Sequence, residues 1–130
     1  MAACYVAVEA ATGSLAGFYT LAAGAALLSG LAPALAKQLP RYPGVPVARL
    51  GRLAVSANFR GQKLGAALLW DAVARAARSK VVVYGVEVDA PGSEAAAFYE
   101  HHGFVPLGTG ARQLLLPLAN LREPKSEKKR

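Results

Sequence analysis

Short runs rich in Val, Tyr and Leu, separated by Gly and Pro, predict six strands along the chain. We place them at Ala3–Glu9, Leu15–Ala23, Val47–Val55, Val81–Val88, Phe104–Leu107 and Arg112–Leu118. The fourth run (VVVYGVEV) is almost continuously apolar, which is typical of a strand covered on both faces. Ala11–Ser14 (ATGS) has the composition of a turn and joins the first two strands into a hairpin.

Two later segments have the apolar spacing or the end residues of helices. Gly61–Arg78 carries two adjoining apolar stripes, so its buried face is wide. Ser93–His101 is bounded by Ser93 as an N-cap and by Gly103, a residue type that commonly stops helices. With one earlier helix, the order β-β-α-β-α-β-α-β-β predicts a single α+β (mixed α/β) domain.

The earlier helix overlaps a long uncharged stretch that could be taken for a transmembrane segment. Residues 10–36 contain no charged side chain and are long enough to span a bilayer. Their Ala, Gly and Thr content, and a change from strand to helix spacing, argue against a transmembrane helix. We expect instead a short helix over 27–38. Pro40–Pro46 holds three prolines and is predicted to be an extended loop outside regular structure.

Composition bounds the class of protein. A chain of 130 residues has room for one domain, which we place at 1–120, and its 54% hydrophobic content excludes a disordered chain. The last ten residues hold five bases and two acids, so 121–130 is predicted to be a disordered basic tail. The single cysteine, Cys4, excludes an internal disulfide and favours a reducing, cytoplasmic location.

The basic residues are unevenly distributed. The formal net charge is +7. Residues 37–80 hold nine bases and one acid, whereas 81–100 hold four acids and no base. This distribution predicts a site for an anionic ligand beside a polar centre. A solvated basic face that binds nothing would give the same totals, so charge alone leaves both alternatives open.

The loop Val55–Ala66 (VSANFRGQKLGA) carries the strongest local signal. It joins a strand to a helix, and its glycines let the backbone approach a ligand. Arg60 and Lys63 add positive charge to the positive end of the helix, an arrangement that suits a pyrophosphate. A tight turn that binds nothing is the alternative. The loop is neither a Walker A sequence nor a dinucleotide fingerprint.

Together with Tyr99–Phe104 (YEHHGF), this loop resembles the GNAT superfamily of acyl-CoA-dependent N-acyltransferases. That family has Arg/Gln-x-x-Gly-x-Gly/Ala at its pyrophosphate loop, here Arg60–Gly65 with Lys63 in place of the first Gly. A helix ending in Tyr-x-x-x-Gly-Phe follows one strand later. The resemblance covers residues 3–118 and implies a central mixed, mostly antiparallel sheet flanked by helices. The family's usual first strand and helices have no counterpart before Ala3, so a shortened acceptor half is expected.

A narrower resemblance is to the GNAT toxins of bacterial toxin–antitoxin pairs, which acetylate the amino group of aminoacyl-tRNA. It rests on the segments Gly17–Leu21, Leu39–Pro43, Arg49–Val55 and Phe98-Tyr99. The resemblance implies acetyl-CoA as acyl donor, tRNA and a small antitoxin protein as partners, and a homodimer. The uncovered edge strand Ala3–Glu9 favours a dimer too.

The family resemblance also implies roles for individual residues. Tyr99 would be the general acid, with an ordinary half-buried helix tyrosine as the alternative. Leu53 and Val55 would bond the pantetheine arm through their backbones. The expected acetyl-CoA-binding residues are Leu53, Ala54, Val55, Arg60, Gly61, Gln62, Lys63, Leu64, Gly65 and Ala66. No metal site is predicted.

Other polar residues leave the mechanism and acceptor open. Glu87 and Asp89 share one face of a strand, where either could act as a base or pair with Arg49 or Arg52. His101 and His102 are interpreted as a helix-end cap. The basic residues of the central region suit RNA phosphates. An α-amino group loses its proton more readily than a lysine side chain, so both points favour aminoacyl-tRNA as the acceptor. A small-amine or peptide acetyltransferase, or a non-catalytic acyl-CoA-binding protein, are the alternatives.

Overall fold

The computed structural model describes residues 2–27, 44–79, 82–107 and 112–119. The strands are β1 (Ala2–Val8), β2 (Leu15–Leu27), β3 (Gly44–Val55), β4 (Gly85–Asp89), β5 (Val105–Pro106) and β6 (Gln113–Pro117). The helices are α1 (Leu64–Ala77) and α2 (Ser93–His101), and one turn of 3-10 helix, Ala57–Phe59, precedes α1. No helix within these ranges is long and apolar enough to cross a membrane.

The six strands form one sheet in the order β1-β2-β3-β4-β6-β5. Neighbouring strands are antiparallel except β3 and β4, which are parallel and joined through α1. The predicted mixed, mostly antiparallel sheet is therefore confirmed. The hairpin between β1 and β2 closes through the Gly13 N–H, which donates to the Glu9 carbonyl at 2.8 Å.

Both helices pack on the same face of the sheet, which we call the helix face. Leu69 of α1 and Tyr99 of α2 belong to one core cluster with Leu50, Val88 and Leu114 of the sheet. The other side of the sheet, the opposite face, has a smaller core of Val45, Val47, Leu107 and Leu115. A sheet buried on both sides explains why β4 has an almost continuously apolar sequence.

Several boundaries differ from the sequence prediction. β3 begins at Gly44, so the prediction that Pro46 lies outside regular structure is wrong. Proline lacks only a donor, and its carbonyl here accepts the Tyr84 N–H at 2.9 Å. β4 begins at Gly85 rather than Val81, because residues 82–84 precede the ladder with β6.

The helix starts also need correction. α1 begins at Leu64 and not Gly61, since Gly61 and Lys63 have left-handed backbones that cannot enter a helix. The N-cap of α2 is Gly92, and Ser93 is its first residue. Gly103, at φ +99°, ends α2 as predicted. Strand β2 runs on to Leu27, and the remaining predicted helix, 28–38, lies outside the described residues, as does the tail 121–130.

A buried tyrosine ties α1 to the sheet. The Tyr19 hydroxyl, on β2, donates a short hydrogen bond to Asp71 Oδ2 of α1. Asp71 also accepts from Arg75 Nε at 3.0 Å, and Arg75 lies 4.1 Å from the centre of the Tyr5 ring. Burial and the Asp71 carboxylate raise the pKa of Tyr19 to about 12, so it remains a donor at all working pH values.

We predict that Tyr19→Phe lowers the free energy of unfolding by about 1.5 kcal/mol, because it removes a hydrogen bond to a charged group. The bond from Tyr19 lowers the Asp71 pKa, so this stabilisation is present above roughly pH 4 and is lost as pH falls further. Urea denaturation at pH 7 and pH 3 measures both effects. Tyr5→Phe is the matched control, and equal stability of the two variants at pH 7 would contradict the prediction.

Candidate functional site

The parallel ladder between β3 and β4 is short. It pairs Ala48 with Val86 and ends where Leu50 pairs with Val88. Beyond that point β3 stays paired with β2 as far as Val55, while β4 stays paired with β6. The two central strands therefore separate, and a gap opens in the middle of the sheet toward the loop before α1.

Backbone groups of β3 face this gap. The N–H of Arg52 donates to the Thr20 hydroxyl and that of Ser56 donates to the Ala16 carbonyl, so both point toward β2. Because successive residues of a strand point their N–H groups in opposite directions, those of Leu53 and Val55 face the gap. Ala54, between them, directs its N–H toward β2. Within the described part of the chain, the gap edge thus offers the N–H groups of Leu53 and Val55, the two donors that the family resemblance implies for pantetheine binding.

The start of α1 supplies further free donors. The first intrahelical bond runs from the Ala67 N–H to the Lys63 carbonyl at 3.2 Å. The N–H groups of Leu64, Gly65 and Ala66 therefore have no helical partner. The first turn contains no acidic side chain that could neutralise the positive end of the helix.

Two residues hold the loop in a left-handed conformation. Gly61 has φ +79°, and a Cβ there would meet nothing within 4 Å, so glycine is present for its backbone freedom. Lys63 has φ 63°, the only non-glycine residue with positive φ among those described. A lysine in this conformation costs about 1 kcal/mol relative to glycine. A Cβ at Gly65 would meet only ordinary contacts at 3.8 Å, so Gly65 is not required for tight packing.

A cleft of about 520 Å³ lies between this loop and the end of α2. Seven of the ten predicted acetyl-CoA-binding residues line it: Val55, Arg60, Gly61, Lys63, Leu64, Gly65 and Ala66. Leu53, Ala54 and Gln62 do not. The lining includes no carboxylate, and neither Arg60 nor Lys63 has an ion pair within the described ranges. The cleft is therefore suited to an anion.

Four cleft residues were missed by the sequence analysis. They are Phe59, Phe98, His101 and His102. The backbone of His102 ends α2 by donating to the carbonyls of Tyr99 and Glu100. Its imidazole, however, contacts Phe98 and Trp70 edge-on, with ring centres 4.9 and 5.9 Å apart. Burial, together with His101, lowers the pKa of His102, so the His102 side chain is mainly uncharged at pH 7.

Tyr99 lies one residue from the cleft wall. Its ring is buried between Phe98 and Phe104, at centre distances of 5.3 and 5.4 Å. Burial raises the pKa of the Tyr99 hydroxyl. Within the described residues this hydroxyl makes no hydrogen bond, and no buried side-chain oxygen is left without a partner. The hydroxyl therefore reaches solvent, where it is free to donate to a ligand.

The two candidate bases have different environments on the opposite face. Glu87 is buried and accepts from Arg49 Nη2 at 2.9 Å and from Nε at 3.2 Å. Of the two alternatives, pairing with Arg49 is the one observed. Asp89, two residues nearer the gap, is exposed and has no ion pair with any described residue.

A larger cavity of about 710 Å³ lies at the far end of α1, beside β1, β2 and β3. It is lined mainly by small apolar residues, with Tyr5, Arg75 and Arg78 among them. None of the predicted site residues borders it. Arg75 is already paired with Asp71, so this cavity offers less free charge than the smaller cleft.

Comparison with known proteins agrees with this geometry. A family model of the acetyltransferase (GNAT) domain matches residues 2–106. The structure of AtaT complexed with acetyl-methionyl-tRNAfMet is 29% identical, with a TM-score of 0.80 over 92% of this chain and 73% of that chain. AtaTR bound with AcCoA is 30% identical, with a TM-score of 0.73 over 92% and 72%. A mutant AtaT toxin bound to the C-terminus of the antitoxin AtaR is 26% identical, with a TM-score of 0.70 over 98% and 72%.

We predict that Lys63→Gly separates stability from ligand binding. Glycine relieves the left-handed backbone and should raise the free energy of unfolding by about 0.5–1 kcal/mol. Loss of the cation should weaken acetyl-CoA binding about tenfold. Thermal unfolding and calorimetric titration measure the two effects, with Lys63→Arg as the variant that keeps the charge. Unchanged acetyl-CoA affinity in Lys63→Gly would show that this side chain does not contact the phosphates.

Proposed function

Because the chain belongs to the GNAT acetyltransferase family, with acetyl-CoA as its acyl donor, we propose that it acetylates the α-amino group of an aminoacyl-tRNA. The observation that carries the donor half is the gap between β3 and β4, bordered by free backbone donors and leading to a cationic loop. The acceptor half rests on charge and on the acetyl-methionyl-tRNAfMet that is bound in the AtaT complex.

In the donor half, three groups of residues have separate tasks. The free N–H groups of Leu64, Gly65 and Ala66, with Arg60 and Lys63, bind the pyrophosphate. Leu53 and Val55 bond the amides of the pantetheine arm, which extends the sheet as a short strand in the gap. The thioester then lies inside the gap, where backbone donors stabilise the oxyanion that forms during attack. Ala54 lies between Leu53 and Val55, and Gln62 lies between Gly61 and Lys63, so both belong to the segments that bind the donor.

The reaction joins one bond and breaks one. The neutral amine attacks the thioester carbon, a C–N bond forms and the C–S bond breaks. The nitrogen loses one proton to solvent or to Asp89 through water, and the departing thiolate takes one proton from Tyr99. Tyr99 regains its proton from solvent, so acetyl-CoA and amine become N-acetyl product and CoA.

The choice of acceptor follows from how easily its nitrogen loses a proton. Glu87 is held by Arg49 and is not free to act as a base, so an acceptor that is partly neutral at pH 7 is favoured. An α-amino group has a pKa near 8, against about 10.4 for lysine. A peptide N-terminus, or a small amine with a similarly low pKa, meets the same condition and is the second candidate, but neither makes use of the formal net charge of +7.

The acceptor is tested by offering three substrates with acetyl-CoA: aminoacyl-tRNA, an amino acid amide and a lysine-containing peptide. We expect acetylation of aminoacyl-tRNA at concentrations of acceptor where the amide and peptide are poor substrates. Equal kcat/KM for the amide and the aminoacyl-tRNA would favour the small-amine alternative. Acetyl-CoA binding without transfer to any of them would favour the non-catalytic alternative.

The proposed function brings partners with it. A tRNA acceptor would place the reaction in the cytoplasm, and the AtaT toxin bound to AtaR suggests a small antitoxin protein as a binding partner.

We also propose a homodimer. β1 is an edge strand of the sheet. Val6 and Val8 of β1, and Leu15 at the start of β2, are each more than half exposed. An apolar edge with unpaired backbone groups is one that a second chain can cover.

Tyr99→Phe tests the general acid. The variant should bind acetyl-CoA with the affinity of the parent and lower kcat about a hundredfold or more, because it removes a proton needed only in the transition state. Burial raises the pKa of Tyr99 above the ordinary tyrosine value of about 10. The rate of the parent should therefore fall only at a pH above that value, and the variant should show no such fall. Steady-state rates across pH measure this, with Tyr5→Phe as control. An equal kcat would remove Tyr99 from the mechanism.

Light scattering at micromolar concentration tests the dimer. We expect twice the chain mass of 13.5 kDa for the parent. Val6→Glu should give monomers, because it places a charge on the apolar edge. Val82→Glu, at an exposed valine outside the sheet, is the control and should remain dimeric. A parent that scatters as a monomer would contradict the proposed assembly.

A further inference from the structure

One extra residue in β3 decides the direction of the Arg52 side chain. Between paired positions β2 advances two residues, from Tyr19 to Leu21, while β3 advances three, from Leu50 to Leu53. Leu50 and Leu53 consequently both pack on the core of the helix face. Strict alternation would place residue 52 on the helix face with Leu50, but this β-bulge turns Arg52 to the opposite face.

The bulge is held by a fitted contact. The Thr20 hydroxyl accepts the Arg52 N–H at 3.0 Å, in a place where a regular ladder would use a backbone carbonyl. A Cβ on Gly51 would lie 2.5 Å from the same hydroxyl oxygen, so any larger residue there would displace the Thr20 hydroxyl from this contact. The geometry of the bulge in β3 therefore sets the direction of the Arg52 side chain.

Arg52 is also positioned and charged for a ligand. It follows Leu50, the last β3 residue paired with β4, by two positions, so it lies at the mouth of the gap. It is exposed and has no ion pair with any residue in the described ranges. The neighbouring cation on this face, Arg49, is neutralised by Glu87 and lies over Gly24. The opposite face thus presents Arg52 as a free cation beside the place where the thioester lies.

We propose that Arg52 is the contact for a phosphate of the acceptor RNA, at the 3′-terminal nucleotides that carry the amino acid. This inference rests on the proposed function and names the subsite that selects its acceptor. The donor phosphates occupy the helix face, so the amine enters the gap from the opposite face, where Arg52 meets the acceptor first. A guanidinium binds phosphate oxygens in a two-pronged geometry, and small amines carry no such group.

The experiment compares Arg52→Ala, Arg52→Lys and Arg78→Ala. Arg78→Ala removes the same charge at the far end of α1 and serves as the matched control. We expect Arg52→Ala to raise KM for aminoacyl-tRNA roughly tenfold and to reduce the slope of log affinity against log salt by about one. Arg52→Lys should restore part of the affinity. Acetyl-CoA affinity and the kcat/KM for an amino acid amide should stay at parental values.

Three results would overturn the inference. An effect of Arg52→Ala no larger than that of Arg78→Ala would mean that only net charge matters. An equal loss with the amide would place Arg52 in the chemistry and not in RNA binding, and a weaker affinity for acetyl-CoA would place it in the donor site. A wrong acceptor can be distinguished from a wrong role of Arg52. If the acceptor is wrong, the parent itself will acetylate the amide and no aminoacyl-tRNA.

Discussion

The parallel ladder between β3 and β4 stops at Leu50 and Val88, and the rest of the molecule depends on that early ending. Parallel strands normally continue together while both remain in the sheet. Here β2 holds one strand and β6 the other, so the sheet must open between them. The opening leaves the N–H groups of Leu53 and Val55 without strand partners among the described residues, which costs free energy unless a ligand or water accepts them.

The gap also divides the site electrostatically. On the helix face, the start of α1 lies beside Arg60 and Lys63, which have no ion pair among the described residues, and we propose that this region binds the donor phosphates. On the opposite face, Glu87 neutralises Arg49 while the bulge at Gly51 and Arg52 presents a free guanidinium. In the function that we propose, the donor and the acceptor each bring phosphate groups to the gap without sharing one positive site. Tyr99 lies next to the cleft residue Phe98, its hydroxyl makes no hydrogen bond to any described residue, and burial raises its pKa, which supports the proposed role as proton donor.

Local patterns in the sequence predicted what is decided locally. The bounds of α2, the stop at Gly103 and the membership of a family could all be inferred from short segments. What the sequence could not predict depends on pairing between distant residues. Pro46 enters a strand because Tyr84 donates to its carbonyl, and Phe98 and His102 reach the cleft only when α2 packs beside α1. The bulge likewise requires the register between β2 and β3, some thirty residues apart, to be known.

Residue-resolved hydrogen exchange, with and without acetyl-CoA, can show whether the gap receives the acyl donor. We expect the amides of Leu53 and Val55 to exchange readily in the free protein and to become protected when acetyl-CoA binds. The amide of Ala54, which faces β2, should be protected in both states and serves as the internal reference. Protection of Leu53 and Val55 that is the same with and without saturating acetyl-CoA would contradict the claim that the gap between β3 and β4 receives the acyl donor.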